Sequence, residues 1–170
     1  MYTVGMPDII LIAHNLRSTH NVGSLLRTAE GLGVSEVILT GYTPYPVHDY
    51  DNRLPHEARK LHKQIQKTAL GAETSQQWRH EPNVEPIIRR LKAEGYVLAA
   101  IEQAPNSIKL PTYQTPEKVA LLVGREVEGV ESEILAQMDI ILEIPMFGSK
   151  ESFNVVQAAA MALYHCRFMA

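Results

Sequence analysis

Apolar residues along the chain fall into two alternating patterns. Asp8–His14 (DIILIAH) and Glu36–Thr40 (EVILT) are short, continuous apolar runs, and so are residues 96–101 (YVLAAI), 119–123 (VALLV) and 140–144 (IILEI). Runs of that length suit strands buried on both faces of a parallel sheet. Between them apolar positions recur every three or four residues, as on one face of a helix. Val22, Leu25, Leu26, Ala29 and Leu32 predict a helix over 22–32, with Asn21 as N-cap and Gly33 as stop. Further helices are predicted over 56–66, over 83–94 on Ile87, Ile88 and Leu91, over 131–138, and from Asn154 almost to the C-terminus. Strands that alternate with helices predict an α/β fold, a mostly parallel sheet flanked by helices. The length of 170 residues fits one domain with a full core.

Three connections after apolar runs carry small or polar residues: 15–27, 124–130 and 144–154. Ligands gather at the carboxyl ends of strands in such sheets, so these loops form one site if they meet. The stretch 124–129 (GREVEG) lacks the Lys-Ser/Thr of a phosphate-binding loop and the G-x-G-x-x-G spacing of a dinucleotide fold. A tight turn before a helix explains it equally well. The last stretch, 144–165, runs from Pro145 through Gly148, Ser149, Ser152 and Asn154 into an Ala-rich helix. Ser152 and Asn154 can each accept from a first helical turn. The small residues of that helix predict a close neighbouring backbone.

Composition adds little to this. An apolar fraction of 45% and a net charge of −3 describe a soluble globular chain without the overall basic charge of many nucleic-acid binders. No apolar run reaches membrane-spanning length, so no membrane association is expected. The opening residues lack a signal-peptide pattern, and the single cysteine, Cys166, excludes an internal disulfide, so a cytoplasmic setting is expected. The charge is unevenly spread. Residues 51–67 hold five basic side chains against two acids, and residues 117–143 hold seven acids against two bases. The first run is either a solvated helix face or a patch for phosphates. The long 42–55 connection, rich in Pro and Tyr, is read as packing, with base stacking as a weaker use of Tyr42, Tyr45 and Tyr50.

In order and spacing, three stretches resemble the motifs of the SpoU/TrmH family, within the SPOUT class of RNA methyltransferases. Residues 21–29 (NVGSLLRTA) are similar to the first motif, with Asn21 and Arg27 at its signature positions. Residues 122–129 (LVGREVEG) are similar to the second, with Glu126 at its acid. Residues 144–164 are similar to the third, with Ser152 and Asn154 at its polar positions. Arg125 stands where Asn or Ser is usual, Phe153 replaces Leu, and Val156 replaces a small polar residue.

The resemblance implies several things. The fold would be a SPOUT-like α/β domain with a deep C-terminal trefoil knot, residues 1–170 forming it without a separate RNA-binding domain. It would bind S-adenosylmethionine at Ala100, Ile101, Gly124, Ile144, Met146, Ser152, Phe153 and Asn154, and act as a homodimer. The reaction implied is methyl transfer to a ribose 2′-hydroxyl of tRNA or rRNA. Asn21, Arg27, Glu126, Ser152 and Asn154 would serve catalysis. Arg27 would orient the hydroxyl and clamp a phosphate, because a guanidinium is a poor base. Arg27, Arg53, Arg59, Lys60 and Lys63 would contact RNA. A non-catalytic RNA-binding module that keeps the fold is the alternative, and a dinucleotide-binding domain is a weaker one.

Overall fold

A computed structural model of the chain describes residues 5–169. Residues 1–4, part of the opening stretch read as free of a leader, lie outside the described residues, as does residue 170. The chain begins with strand β1 (Asp8–His14), helix α1 (Thr19–Gly31) and strand β2 (Glu36–Thr40). Helix α2 (Pro55–Ala69) and a single turn, α3 (Ala72–Ser75), lead into β3 (Trp78–Glu81). Next come α4 (Glu85–Ala93), β4 (Val97–Ile101) and the two-residue strand β5 (Ile108–Lys109). Strand β6 (Lys118–Val123), α5 (Ser132–Leu135), β7 (Ile140–Glu143) and α6 (Val155–Phe168) complete it.

Among the described residues seven strands form one sheet in the order β3-β2-β1-β6-β4-β7-β5, and all six pairings are parallel. Period-two alternation divides its side chains between two cores. Ile9, Leu11 and Ala13 of β1 point to a layer of α1, α2 and α6, packed with Leu25, Ile65 and Leu163. Ile10 and Ile12 point the other way, to Ile87, Ile88 and Leu91 of α4 and Ile134 of α5. The predicted sheet flanked by helices is therefore present. Strand β3 was not predicted. It is short and half-buried, with three polar or charged residues after Trp78 (WRHE), and pairs with β2 at the end of the sheet.

Two close approaches set the helical layer. A Cβ on Gly23 would lie 2.2 Å from the Ile65 carbonyl oxygen, so only glycine lets α1 press this far onto α2. Thr68 Oγ1, beside it, donates to the His20 carbonyl at 2.9 Å. At the other end the buried Arg167 of α6 donates to the carbonyls of Pro7 (2.8 Å), Leu32 (2.9 Å) and Gly33 (2.7 Å). It thereby pins α6 to the entry of β1 and the exit of α1. Cys166 is fully buried in the core.

Candidate active site

Strands β6, β4 and β7 are neighbours in the sheet, so the loops leaving their carboxyl ends emerge side by side. They enclose a cleft of about 270 Å³. Ile101, Glu102 and Gln103 come from β4 and its loop, 123–129 from β6 and its loop, and Ile144, Met146, Glu151, Ser152 and Phe153 from the connection after β7. Val155 and Ala158 of α6 complete the lining. Four glutamates, Glu102, Glu126, Glu128 and Glu151, stand against one cation, Arg125, so the cleft suits a positively charged ligand.

The second loop folds tightly. Gly129 donates to the Arg125 carbonyl at 3.1 Å and lies at φ 72°, the left-handed region that glycine adopts freely. Glu102 holds this turn from below: its carboxylate accepts from Val130 N at 3.1 Å and from Gln103 N at 2.8 Å. A Cβ on Gly129 would meet that carboxylate at 2.2 Å. Sequence reading missed Glu102, because an acid one residue past a strand has no signature of its own.

Asn21 and Glu126 are brought together. The Glu126 carboxylate accepts from Asn21 Nδ2 (3.1 Å) and from the backbone N–H groups of Ser18 (3.3 Å) and Arg17 (3.4 Å). Burial pushes the Glu126 pKa up, but these donors and its own backbone N–H outweigh it, and the net shift is downward. Glu126 is therefore an ionised acceptor that ties the second loop to the first. This also corrects the helix start. Ser18 is the N-cap of α1 and accepts from Asn21 N, while the Asn21 amide is committed to Glu126.

A second polar cluster joins the same two loops. His14 Nδ1 lies 2.8 Å from Thr40 Oγ1, and His14 Nε2 lies 3.0 Å from Asn15 Nδ2. A ring nitrogen facing an amide N–H must carry a lone pair, so the neutral ring fits here. Burial outweighs the nearby Glu131 carboxylate and lowers the His14 pKa. Asn15 also donates to Glu131 at 3.0 Å, and Arg125 Nε approaches that carboxylate at 3.6 Å. The residue that departs from the family pattern at 125 is thus matched by an acid six residues later.

Several predicted residues lie elsewhere. Ala100 is fully buried in β4 and does not line the cleft, because strand alternation turns it to the face opposite that of Ala99 and Ile101. Asn154 also lies off the lining; its Oδ1 caps α6 by accepting from Val156 N at 2.9 Å. Ser152 lines the cleft and makes no cap bond. Arg27 is exposed on α1, with neither an ion pair to Glu30 nor a bond to Glu126 among the described residues. It opens onto a different cleft, between α1 and α2. Arg53 is not a free cation. It donates to Asp51 (2.8 Å), Tyr45 O (2.9 Å) and Pro46 O (3.0 Å), and its guanidinium lies 3.5 Å from the Tyr45 ring centre. Those bonds fold the 42–54 connection and hold the Asp51 pKa down at about 2. Arg59, Lys60 and Lys63 are exposed on α2.

The SpoU rRNA Methylase family matches this chain over residues 8–164. The chain belongs to that family. Among relatives, the mouse tRNA (guanosine(18)-2′-O)-methyltransferase TARBP1 is 31% identical over 161 residues, 92% of this chain and 9% of that protein. The tRNA (guanosine(18)-2′-O)-methyltransferase of Borreliella burgdorferi is 28% identical, over 92% of this chain and 64% of its own length. The chain thus spans less than two thirds of either relative. Among solved structures, the AdoMet-bound rRNA methyltransferase of Sinorhizobium meliloti superimposes with a TM-score of 0.78 at 23% identity, over 95% of this chain and 56% of that one. A crystal structure of an RNA 2′-O ribose methyltransferase gives 0.76 at 25% identity, over 98% and 58%. The three stretches singled out in the sequence lie within the matched residues.

Proposed function

We propose that the chain is an S-adenosylmethionine-dependent RNA methyltransferase that modifies a ribose 2′-hydroxyl of tRNA or rRNA. The observation that carries this reading is the acid-lined cleft where the loops after β4, β6 and β7 meet. Six of the eight residues expected to hold the methyl donor line it: Ile101, Gly124, Ile144, Met146, Ser152 and Phe153. Their chemistry fits the group. Apolar side chains and a glycine backbone suit an adenine ring, and carboxylates suit an ammonium and a sulfonium. When bound, S-adenosylmethionine supplies a sulfonium-activated methyl group. The chain's own work is then alignment and proton removal. Glu126 and Asn21 fix the loop beside the donor, and Arg27 orients the ribose hydroxyl and grips a phosphate. Relatives named as guanosine 2′-O-methyltransferases of tRNA or rRNA favour the same chemistry here.

Arg27 and the donor cleft share no lining residue within one chain. The reading therefore includes a homodimer, in which Arg27 of one copy completes the site of the other. It also includes a cytoplasmic setting and a catalytic domain whose C-terminal segment is threaded as a deep trefoil knot. The packing of α6 against α1, β1, β6 and β4 supports that threading. No described helix is long and apolar enough to cross a membrane. The test pairs Arg27→Ala with the unaltered chain. Calorimetric affinity for S-adenosylmethionine stays within about twofold, while tritium-methyl transfer to total tRNA and rRNA falls at least about 100-fold, the lower range for a group assisting proton transfer. Full transfer by the variant removes Arg27 from the mechanism.

A further inference from the structure

The cleft that holds Arg27 has a composition unlike the donor cleft. It is lined by Ser24, Arg27, Thr28, Lys67, Thr68 and Leu70: two cations, three hydroxyls and no carboxylate. Neither Arg27 nor Lys67 is in an ion pair among the described residues. Two cations lining one open cleft repel each other, and an anion between them removes that cost. The walls are set firmly, since Gly23 brings α1 and α2 into contact and Thr68 bonds across to His20 O.

Leu70 is the second observation. It caps α2 in the left-handed region (φ 51°), where a branched side chain is strained, and exposes 66% of its surface on this cleft. A residue that gives up both backbone ease and burial is a candidate for function. A third observation extends the site. Lys60, Lys63 and Lys67 are all exposed and lie at i, i+3 and i+7 on α2, along one side of the helix.

We propose that the α1–α2 cleft grips an RNA backbone phosphate between Arg27 and Lys67, that the stripe Lys60–Lys63–Lys67 leads the strand into it, and that Leu70 packs on the adjoining sugar or base. This rests on the RNA-methyltransferase reading and names the RNA path for it. Lys67 is a binding residue and not a catalytic one, so its removal acts on RNA affinity and leaves the methyl donor untouched.

The experiment is fluorescence anisotropy of a labelled RNA stem-loop with the full chain, titrated across salt. Lys67→Ala weakens binding about fivefold to eightfold at 0.1 M salt and lowers the log–log salt slope by about 0.7–0.9, the counterions of one phosphate contact. Lys67→Arg keeps both. Lys92→Ala, whose lysine pairs with Asp139 at 3.1 Å, changes neither. Leu70→Gly raises Tm by about 2–4 °C through relief of strain while weakening RNA binding. An unchanged affinity and slope in Lys67→Ala overturns the proposal, as does a Leu70→Gly variant that binds RNA as well as the parent. The outcomes separate from those of the parent reading. RNA binding that depends on Lys67, in a chain that transfers no methyl group, keeps the path and removes the enzyme. Methyl transfer that is indifferent to Lys67 keeps the enzyme and removes the path.

Discussion

His14 shows how one buried side chain sets a measurable property of the molecule. Burial holds its pKa below the ordinary 6.5. The unfolded chain therefore binds a proton there before the folded one does. The stability this residue contributes is complete above about pH 6.5 and is lost as pH falls below that value. His80, half-buried and also lowered by burial, acts in the same direction. Urea unfolding at pH 7.5 and at pH 5.5 is expected to give a lower midpoint at the acid value, and His14→Gln is expected to shrink the difference. An equal loss in parent and variant would assign the pH dependence elsewhere. Arg53 carries the opposite lesson about reading a sequence. A charge run reveals the cation, but not that Asp51, two residues earlier, and two loop carbonyls use its donors. Asn21 is similar. As a helix-start residue it reads as a cap, but its amide reaches Glu126, which lies 105 residues away in the chain.

At the level of elements, the second loop is a tightly constrained part of the cleft proposed for the methyl donor. Gly129→Ala forces a left-handed backbone on alanine and drives its Cβ to within 2.2 Å of the Glu102 carboxylate. Strain of this kind costs about 1–3 kcal/mol. The variant is expected to lose at least tenfold in calorimetric affinity for S-adenosylmethionine, with a modestly reduced melting temperature. Unchanged affinity would show that the turn is not part of the donor site. The elements that sequence made legible are those built on apolar continuity. Strands β1, β2 and β6 and helix α6 follow from hydrophobic runs and spacing, and their bounds fall within a residue or two of expectation. Strand β3 was hidden because three of its four residues are polar or charged and all are half-buried, so its pairing comes from β2 and not from its own pattern. Helix α5 is only Ser132–Leu135, shorter than the predicted 131–138, because the chain tightens into a turn in which Gln137 and Met138 donate to the Ile134 and Leu135 carbonyls three residues back. Two of the three loops singled out in the sequence, 124–130 and 144–154, line the cleft, while the first, 15–27, supplies no lining residue and joins it through the Asn21–Glu126 bond. Glu102 was not legible, because its partners in the second loop are neighbours only through sheet order.

For the whole molecule, the separation of the two clefts on one chain is the controlling fact. If Arg27 completes the partner's site, two differently damaged copies repair each other. Equal mixing of Arg27→Ala with Gly129→Ala, after reassortment, places half the chains in mixed dimers, and one of the two sites in each is intact. About a quarter of parental transfer is then expected at a donor concentration too low to load Gly129→Ala, where neither variant alone transfers, as the symmetry of an isologous dimer requires. No recovery on mixing would place Arg27 and the donor in the same copy. The most direct test of the central claim is nucleoside mass spectrometry of RNA after incubation with the chain and S-adenosylmethionine bearing a deuterated methyl group. The expected product is a nucleoside with the label on its ribose, formed by the parent chain and absent with Arg27→Ala. A label found on a base, or no labelled nucleoside from either tRNA or rRNA, would contradict the account.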